Sequence, residues 1–302
     1  MNTIQDKLLL ISHCRGIRAA KLRRLYQIDH SFSLLQSLKS SEYLSLGLIT
    51  PSYYSTFSED FSSLKLSAIR ANLEKHGTHF LTILDPLYPD LLKEIPDPPL
   101  FLFCKGNLQL FQHPESLGVA GARQSTPYGR EALDKILIPL IKRGFVIVSG
   151  LAEGIDTAAH AVCIVNGGRT IAVLGGGFQH IYPFSNRALA NEIGRHHLLI
   201  SEYAPHIKPQ KWHFPERNRL ISGLGNGTLI AEAKQRSGSL ITAQYAMEQG
   251  RDVFAIPGRI LDCTSDGTNE LIKDGAKLVM TAEDILEEFY GIGLKASGTA
   301  KE

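Results

Sequence analysis

From Leu117 onward, short apolar runs recur at a nearly regular interval: LGVAG, FVIVSG, TIAVLGGG, LLISEY, GTLIAEA and DVFAIPG. Most end in small or polar residues. Between most of them lie segments of helical length, at 128–143, 156–166, 186–195, 216–224 and 240–249. Continuous apolar runs of strand length, alternating with helices, mark strands covered on both faces by their crossovers. The pattern therefore predicts an α/β domain over 117–290 built on a doubly wound, mostly parallel sheet. A last helix is expected after Thr281, because Thr281 and Asp284 stand at capping-box spacing.

Residues 1–75 follow a different rhythm. Leu8, Ile11, Leu22, Leu25, Leu34, Leu35 and Leu38 recur without strand-like alternation, interrupted at Gly16, in a serine-rich stretch and at Pro51. This reads as a small all-helical domain. In 76–116, Pro86, Pro89, Pro96, Pro98 and Pro99 rule out a long helix and leave a connector with short strands at 80–84 and 100–104. The Gly/Ala/Lys-rich residues 291–302 are expected to form a flexible tail.

Composition changes this picture little. Hydrophobic residues make up 43% and charged residues 21%, ordinary for a soluble globular protein. A net charge of +2 argues neither for nor against a polyanionic partner, so any such case rests on where the charges lie. Cys14, Cys104, Cys163 and Cys263 form no C-x-x-C pair, against a disulfide framework or metal cluster and in keeping with a reducing cytoplasm. The apolar run 8–11 is too short for a signal-peptide core, and no stretch approaches a membrane span.

Ligands of an open parallel sheet bind beyond the carboxyl ends of its strands. There the sequence places GARQS (121–125), SGLAEGID (149–156) and GGG (175–177). Gly121 and its counterparts could admit a phosphate to the backbone, with Arg123 adding a bidentate contact, or could simply make tight strand-to-helix turns. No G-x-G-x-x-G opens a helix and no Walker A loop is present, which excludes the usual signatures of NAD and ATP binding. Asp156 and His160 share a helix face and could orient each other, ligate a metal or serve a nucleophile such as Ser149. The simpler reading is a helix-start carboxylate and a packed imidazole. Glu202 and Glu232 follow strands and read as acceptors for loop amides or arginines, or as acid/base groups. Ser237, Gly238, Ser239 and Thr242 open another helix, more hydroxyls than capping alone requires.

The richest stretch is 208–219, KPQKWHFPERNR. Lys208, Lys211, Arg217 and Arg219 are opposed only by Glu216, and Trp212, His213 and Phe214 lie among them. Cations attract a phosphate backbone and flat rings stack on unpaired bases, so the stretch suggests a single-stranded nucleic-acid site; the alternative is a solvated loop leading into a helix. A second basic run, Arg15, Arg18, Lys21, Arg23 and Arg24, spreads around a helix and reads as a solvated face, with an auxiliary DNA contact as the alternative.

Seven ordered segments resemble the DNA-processing protein A (DprA/Smf) family over 80–290: LDPLYPDLLKEIPDPPLFLFCKGN, GARQSTPYG, VIVSGLAEGIDTAAH, TIAVLGGGFQHIYPFSN, ISEYAPHIKPQKWHFPERNRLISGL, AEAKQRSGSLITAQYAMEQGRDVFAIPG and GTNELIKDGA. The resemblance implies an extended Rossmann-like domain without a dinucleotide cofactor. It implies a non-enzymatic protein that binds single-stranded DNA, loads the RecA recombinase onto it during natural transformation, and dimerises through the C-terminal part of that domain. The helices before it resemble, more loosely, a SAM-like or helix-hairpin-helix-like domain. In this reading Arg123, Lys211, Phe214, Arg217 and Asn218 carry DNA by motif position. Gly121, Ser149 and Arg219 join them, as do Ser237, Gly238 and Ser239. Phe184 follows Tyr182-Pro183 where some relatives carry a basic residue, with Arg187 nearby. A C-terminal winged-helix-like domain, present in some members, is not expected after the last helix. The rival expectation is a nucleotide-processing enzyme that releases a base from a nucleoside monophosphate with Glu202 or Glu232 as acid/base.

Overall fold

The computed structural model describes residues 3–17 and 19–290; Arg18 and the expected tail 291–302 lie outside the described residues. Among the described residues the chain opens with six α-helices: α1 (Ile4–His13), α2 (Ala19–Ile28), α3 (Ser33–Ser37), α4 (Ser40–Ser45), α5 (Tyr54–Ser63) and α6 (Leu66–Lys75). Thr3 caps α1 by accepting from the Asp6 amide at 3.1 Å, and α1 buries Leu8 to Ile11 in succession.

The sheet begins with β1 (His79–Thr82), a short α7 (Asp90–Lys93) and β2 (Phe101–Gly106). The six apolar runs then become β3 (Ser116–Ala120), β4 (Val146–Ser149), β5 (Arg169–Leu174), β6 (Leu198–Ser201), β7 (Gly227–Ile230) and β8 (Asp252–Ala255). Between them run α8 (Pro127–Lys142), α9 (Ile155–Val165), α10 (Arg187–His196), α11 (His213–Leu224) and α12 (Gly238–Glu248). The described chain ends with α13 (Asp266–Lys273), β9 (Lys277–Leu278) and α14 (Ala282–Tyr290).

Strand order is β1-β2-β6-β5-β4-β3-β7-β8-β9. From β6 to β9 every pairing is parallel, whereas β1 and β2 add to the β6 edge antiparallel. The connector thus extends the sheet. The chain winds outward from β3 through β4, β5 and β6, then returns to start the other half at β7. This is an extended Rossmann-like, doubly wound sheet whose switch point lies between β3 and β7.

The two-residue period of a strand sorts its side chains onto opposite faces. Val146, Val148, Ile171 and Val173 join one apolar cluster with Leu220 and Ile221 of α11 and with Leu8 to Ile11 of α1. Leu117, Val119, Ile147 and Leu229 face α8, α9 and α14 instead. The N-terminal helices therefore share a continuous core with one face of the sheet.

The N-terminal basic run is not one solvated face. Arg15 pairs with Asp60 at 2.7 Å. Arg23 is buried, bonded to Asp97 and, at 3.1 Å, to Glu202. Of the described members, only Lys21 and Arg24 stand exposed with no ion pair or side-chain hydrogen bond among the described residues. The four cysteines are free, and only Cys263 is exposed. No helix among the described residues is long and apolar enough to cross a membrane.

Candidate nucleic-acid interface

A groove of about 880 Å³ opens at the carboxyl ends of β3, β4 and β7, at the switch point. Its floor and walls come from the loops after those strands, from Tyr182 after β5, from one face of α11 and from the start of α12. Five cationic side chains line it, Arg123, Lys211, Arg217, Lys234 and Arg236, against two carboxylates, Glu153 and Asp156.

The stretch 208–219 is loop only to Trp212; α11 starts at His213. Pro215 fits there because a first-turn amide has no intrahelical acceptor to lose. At about 100° per residue, Phe214, Arg217, Asn218 and Ile221 fall on one face of α11, and all four line the groove. Exposed Lys211 precedes them. The Phe214 ring lies 5.8 Å from the Arg123 guanidinium carbon and 5.6 Å, centroid to centroid, from the ring of Tyr182. Cation, ring and ring thus line one side in sequence. Behind them Tyr203 stacks on His213 at 3.9 Å and donates its hydroxyl to Glu216 at 3.0 Å, which fixes the helix start.

Arg217 is only 5% exposed. Its Nη1 donates to the carbonyls of Gly150 and Val173, and so ties together the carboxyl ends of β4 and β5. Burial pushes the Asp156 carboxyl up and the Arg217 guanidinium down, and each charge is the main force opposing the other's shift. Asp156 also accepts from the Gly150 and Ala152 amides at 3.2 and 3.3 Å. Arg217 is therefore first a clasp of the groove floor, with part of its surface toward the groove.

Two of the loop glycines make room for these side chains. A Cβ on Gly150 would overlap the Arg217 guanidinium, and one on Gly175 would come within 3.0 Å of the Phe214 ring. Their close approach serves the protein's own side chains. Gly150→Ala is expected to cost about 1–3 kcal/mol of stability through overpacking. Urea denaturation checks it, and an unchanged midpoint would mean that Arg217 is free to move aside.

Of the residues expected from the sequence, Gly121, Arg123, Lys211, Phe214, Arg217 and Asn218 line the groove. Ser237, Gly238 and Ser239 do so from the start of α12. Asn218 Nδ2 donates to the Gly238 carbonyl at 3.2 Å and stitches the two helix starts together. Two expected residues lie elsewhere. Ser149 is fully buried, and its hydroxyl donates to the Val119 carbonyl at 2.7 Å, because the last residue of β4 points into the sheet. Arg219 is two residues, about 200°, round α11 from Arg217 and therefore faces away from the groove. It donates to Glu202 at 2.5 Å and is 3% exposed.

The remaining candidates are occupied. Glu232 accepts from the Thr126 amide at 2.9 Å and hydroxyl at 2.7 Å, and Glu202 accepts from Arg23 and Arg219. Asp156 and His160 are not partners. His160 Nδ1 lies 2.7 Å from the Thr170 hydroxyl, which itself donates to the Ile147 carbonyl, so the imidazole carries its proton on Nδ1. Among the described residues, no group of three or more His, Cys, Asp or Glu side chains could hold a metal ion. Sequence reasoning passed over Tyr182, Lys234 and Arg236 as lining residues. The signal for the last two was there: two cations within three positions, just beyond the carboxyl end of β7.

The sequence profile of DNA recombination-mediator protein A matches residues 79–290. The chain belongs to the DNA recombination-mediator protein A family. It is 48% identical to the DNA processing protein DprA of Bacillus subtilis over 224 residues, covering 74% of this chain and 75% of that protein. It is 52% identical to the DprA of Streptococcus pneumoniae over 221 residues, 72% of this chain and 78% of that one. The X-ray structure of the S. pneumoniae family member matches with a TM-score of 0.82 and 41% identity, over 95% of this chain and 99% of that chain. A structure of the Helicobacter pylori family member, described for its single-stranded DNA binding mode, matches with a TM-score of 0.63 and 31% identity over 70% of this chain and 95% of that one. The residues lining the groove all lie inside the stretch that defines the family.

Proposed function

We propose that this chain is a non-enzymatic recombination mediator that binds single-stranded DNA in the switch-point groove and passes it to a RecA-type recombinase. The observation that carries the reading is the row formed by Arg123, Phe214 and Tyr182 beside exposed Lys211. Cations neutralise phosphates and ring faces accept bases, which are free to stack on protein only when they are unpaired. Membership of a recombination-mediator family, and a relative described by its single-stranded DNA binding mode, support the same reading. The engagement of Glu202 and Glu232 in structural hydrogen bonds favours a binder over a hydrolase. Loading of RecA, action in DNA uptake and a homodimer through the C-terminal part of the Rossmann-like domain complete the proposal.

Fluorescence anisotropy with labelled oligo-dT tests the site. Phe214→Ala is expected to weaken binding by about 1–3 kcal/mol, the loss of one stacking ring. Lys211→Ala should lower the salt slope by about 0.7, one phosphate on a single strand. Wild-type affinity in both variants would overturn the site. RecA filament assembly with and without the protein tests the mediator role, and base release from nucleoside monophosphates that disappears in Glu232→Gln would overturn the non-enzymatic one.

A further inference from the structure

The two rings at the groove border a recess that also holds a carboxylate. Arg123, Glu153, Tyr182 and Phe214 line it, together with Gly150 and Ala152. The polar backbone groups there are engaged within the protein. The Gly150 carbonyl accepts from Arg217, and the Gly150 and Ala152 amides donate to Asp156. The Ala152 carbonyl accepts from the Thr157 hydroxyl at 2.6 Å. Arg123 and Glu153 differ. Both are exposed, and neither has an ion pair or a side-chain hydrogen bond among the described residues.

The backbone holds these two residues beside each other. The Ile155 amide donates to the Ala122 carbonyl at 3.1 Å. Gly154 has a φ of 77°, and a Cβ there would overlap the carbonyls of Ala122 and Arg123. Glycine thus lets the loop after β4 press against the loop after β3, next to Glu153 and Arg123 themselves. A free carboxylate at this place repels a phosphate chain. What it can accept is the hydrogen-bonding edge of a base.

We infer that Glu153 reads the edge of one unpaired base and makes the recess selective for guanine. The inference rests on the single-stranded DNA reading above. Unpaired bases present their Watson–Crick edges to a protein. On guanine that edge carries two neighbouring donors, N1–H and N2–H, beside the acceptor O6. The two oxygens of an ionised carboxylate accept both donors at once. The guanidinium of Arg123 has more donors than one phosphate takes up, so it can also donate to O6. Adenine and cytosine each set one donor beside a ring nitrogen that accepts, and thymine sets one donor between two carbonyl oxygens. Those acceptors meet the Glu153 oxygens lone pair to lone pair. The rings of Tyr182 and Phe214 stack on any base and do not discriminate, so the choice of base falls to Glu153.

Anisotropy tests this with oligo-dT in which one central thymine is replaced by guanine, adenine, cytosine or hypoxanthine. The wild type should bind the guanine oligomer about 5-fold or more tighter than the all-thymine one, the discrimination expected of a bidentate contact. Adenine and cytosine should give no such gain. Hypoxanthine, which is guanine without its N2 amino group, should lose most of it. Glu153→Gln should abolish the guanine preference and bind the all-thymine oligomer more tightly, because a negative charge has left a cationic groove. Equal affinity of the wild type for the guanine and all-thymine oligomers overturns the inference and leaves the groove standing. A guanine preference that survives in Glu153→Gln, or that hypoxanthine keeps in full, also overturns it. A wild type that binds none of the oligomers overturns the single-stranded DNA reading itself.

Discussion

Glu202→Ala is expected to lower the free energy of unfolding by about 3–5 kcal/mol, the usual consequence of removing one partner from a buried ion cluster. Glu202 stands just past the carboxyl end of β6 and receives two guanidinium groups, Arg23 from α2 at 3.1 Å and Arg219 from α11 at 2.5 Å. The arginine side chains are 8% and 3% exposed, and the remaining acid, Asp97, is 45% exposed. Without Glu202 two buried cations face each other with one half-solvated counter-charge. The same cluster fixes the back of α11, whose front carries Phe214 and Arg217. On the proposed single-stranded DNA reading, the variant should therefore bind oligo-dT more weakly than its remaining folded fraction accounts for. Urea denaturation measures the first effect and anisotropy under fully folding conditions the second. A second measurement isolates the cause: in Arg23→Met, Glu202→Ala should cost less than in the wild type, since one of the stranded cations is gone. A loss below about 1 kcal/mol, typical of a solvated surface pair, would show that the cluster is hydrated in solution.

That cluster also marks the limit of what the sequence reveals. The strands from β3 to β8 and the helices α8 to α12 are legible because each is a local signal. Apolar runs such as 146–149 and helical segments such as 128–143 need no knowledge of the rest of the chain. The start of α11 was read three residues late because Pro215 resembles a barrier, although a first turn tolerates it. Arg23 and Glu202 are separated by 179 residues, and nothing in either neighbourhood names the other. In the linear pattern Arg219 and Arg217 look alike; only the 100° step of the helix sends one to the groove and the other to Glu202. The antiparallel pairing of β2 with β6 is hidden for a similar reason: proline-rich composition shows that 76–116 is irregular and does not show which sheet edge it completes. Most of the groove was readable because loops at strand ends form it. The cations of the loop after β7, Lys234 and Arg236, are the exception: the sequence marks only their neighbours Ser237, Gly238 and Ser239, and no ring or motif position singles out the charges beside them.

Stability is expected to fall steeply as pH drops below about 6.5, the ordinary histidine value, well before most carboxylates titrate. Burial holds His160 down to about 3, with the Arg217 charge adding to it, and burial holds His13 down to about 4 against its bond to the Leu9 carbonyl. Above the unfolded pKa both imidazoles are neutral in both states and the folded protein loses nothing. Below it the unfolded chain takes up protons that the folded one refuses, so the stability is lost progressively until pH reaches each folded value. Each histidine then removes about 1.4 kcal/mol per pH unit, and the two together on the order of 5 kcal/mol across two units. That is comparable to the whole stability of many domains. Asp60, held below the usual carboxylate range by its bonds from Arg15, adds to the loss at lower pH. Asp156, raised by burial, opposes it, because its protonation relieves a buried charge. Urea denaturation at intervals from pH 7 to pH 4.5 measures the slope. His160→Leu should flatten it by one histidine's share, since Thr170 keeps its bond to the Ile147 carbonyl and His160 Nε2 has no partner to lose among the described residues. A wild-type midpoint that stays level from pH 6.5 to pH 5 would show that these imidazoles accept protons without opening the fold.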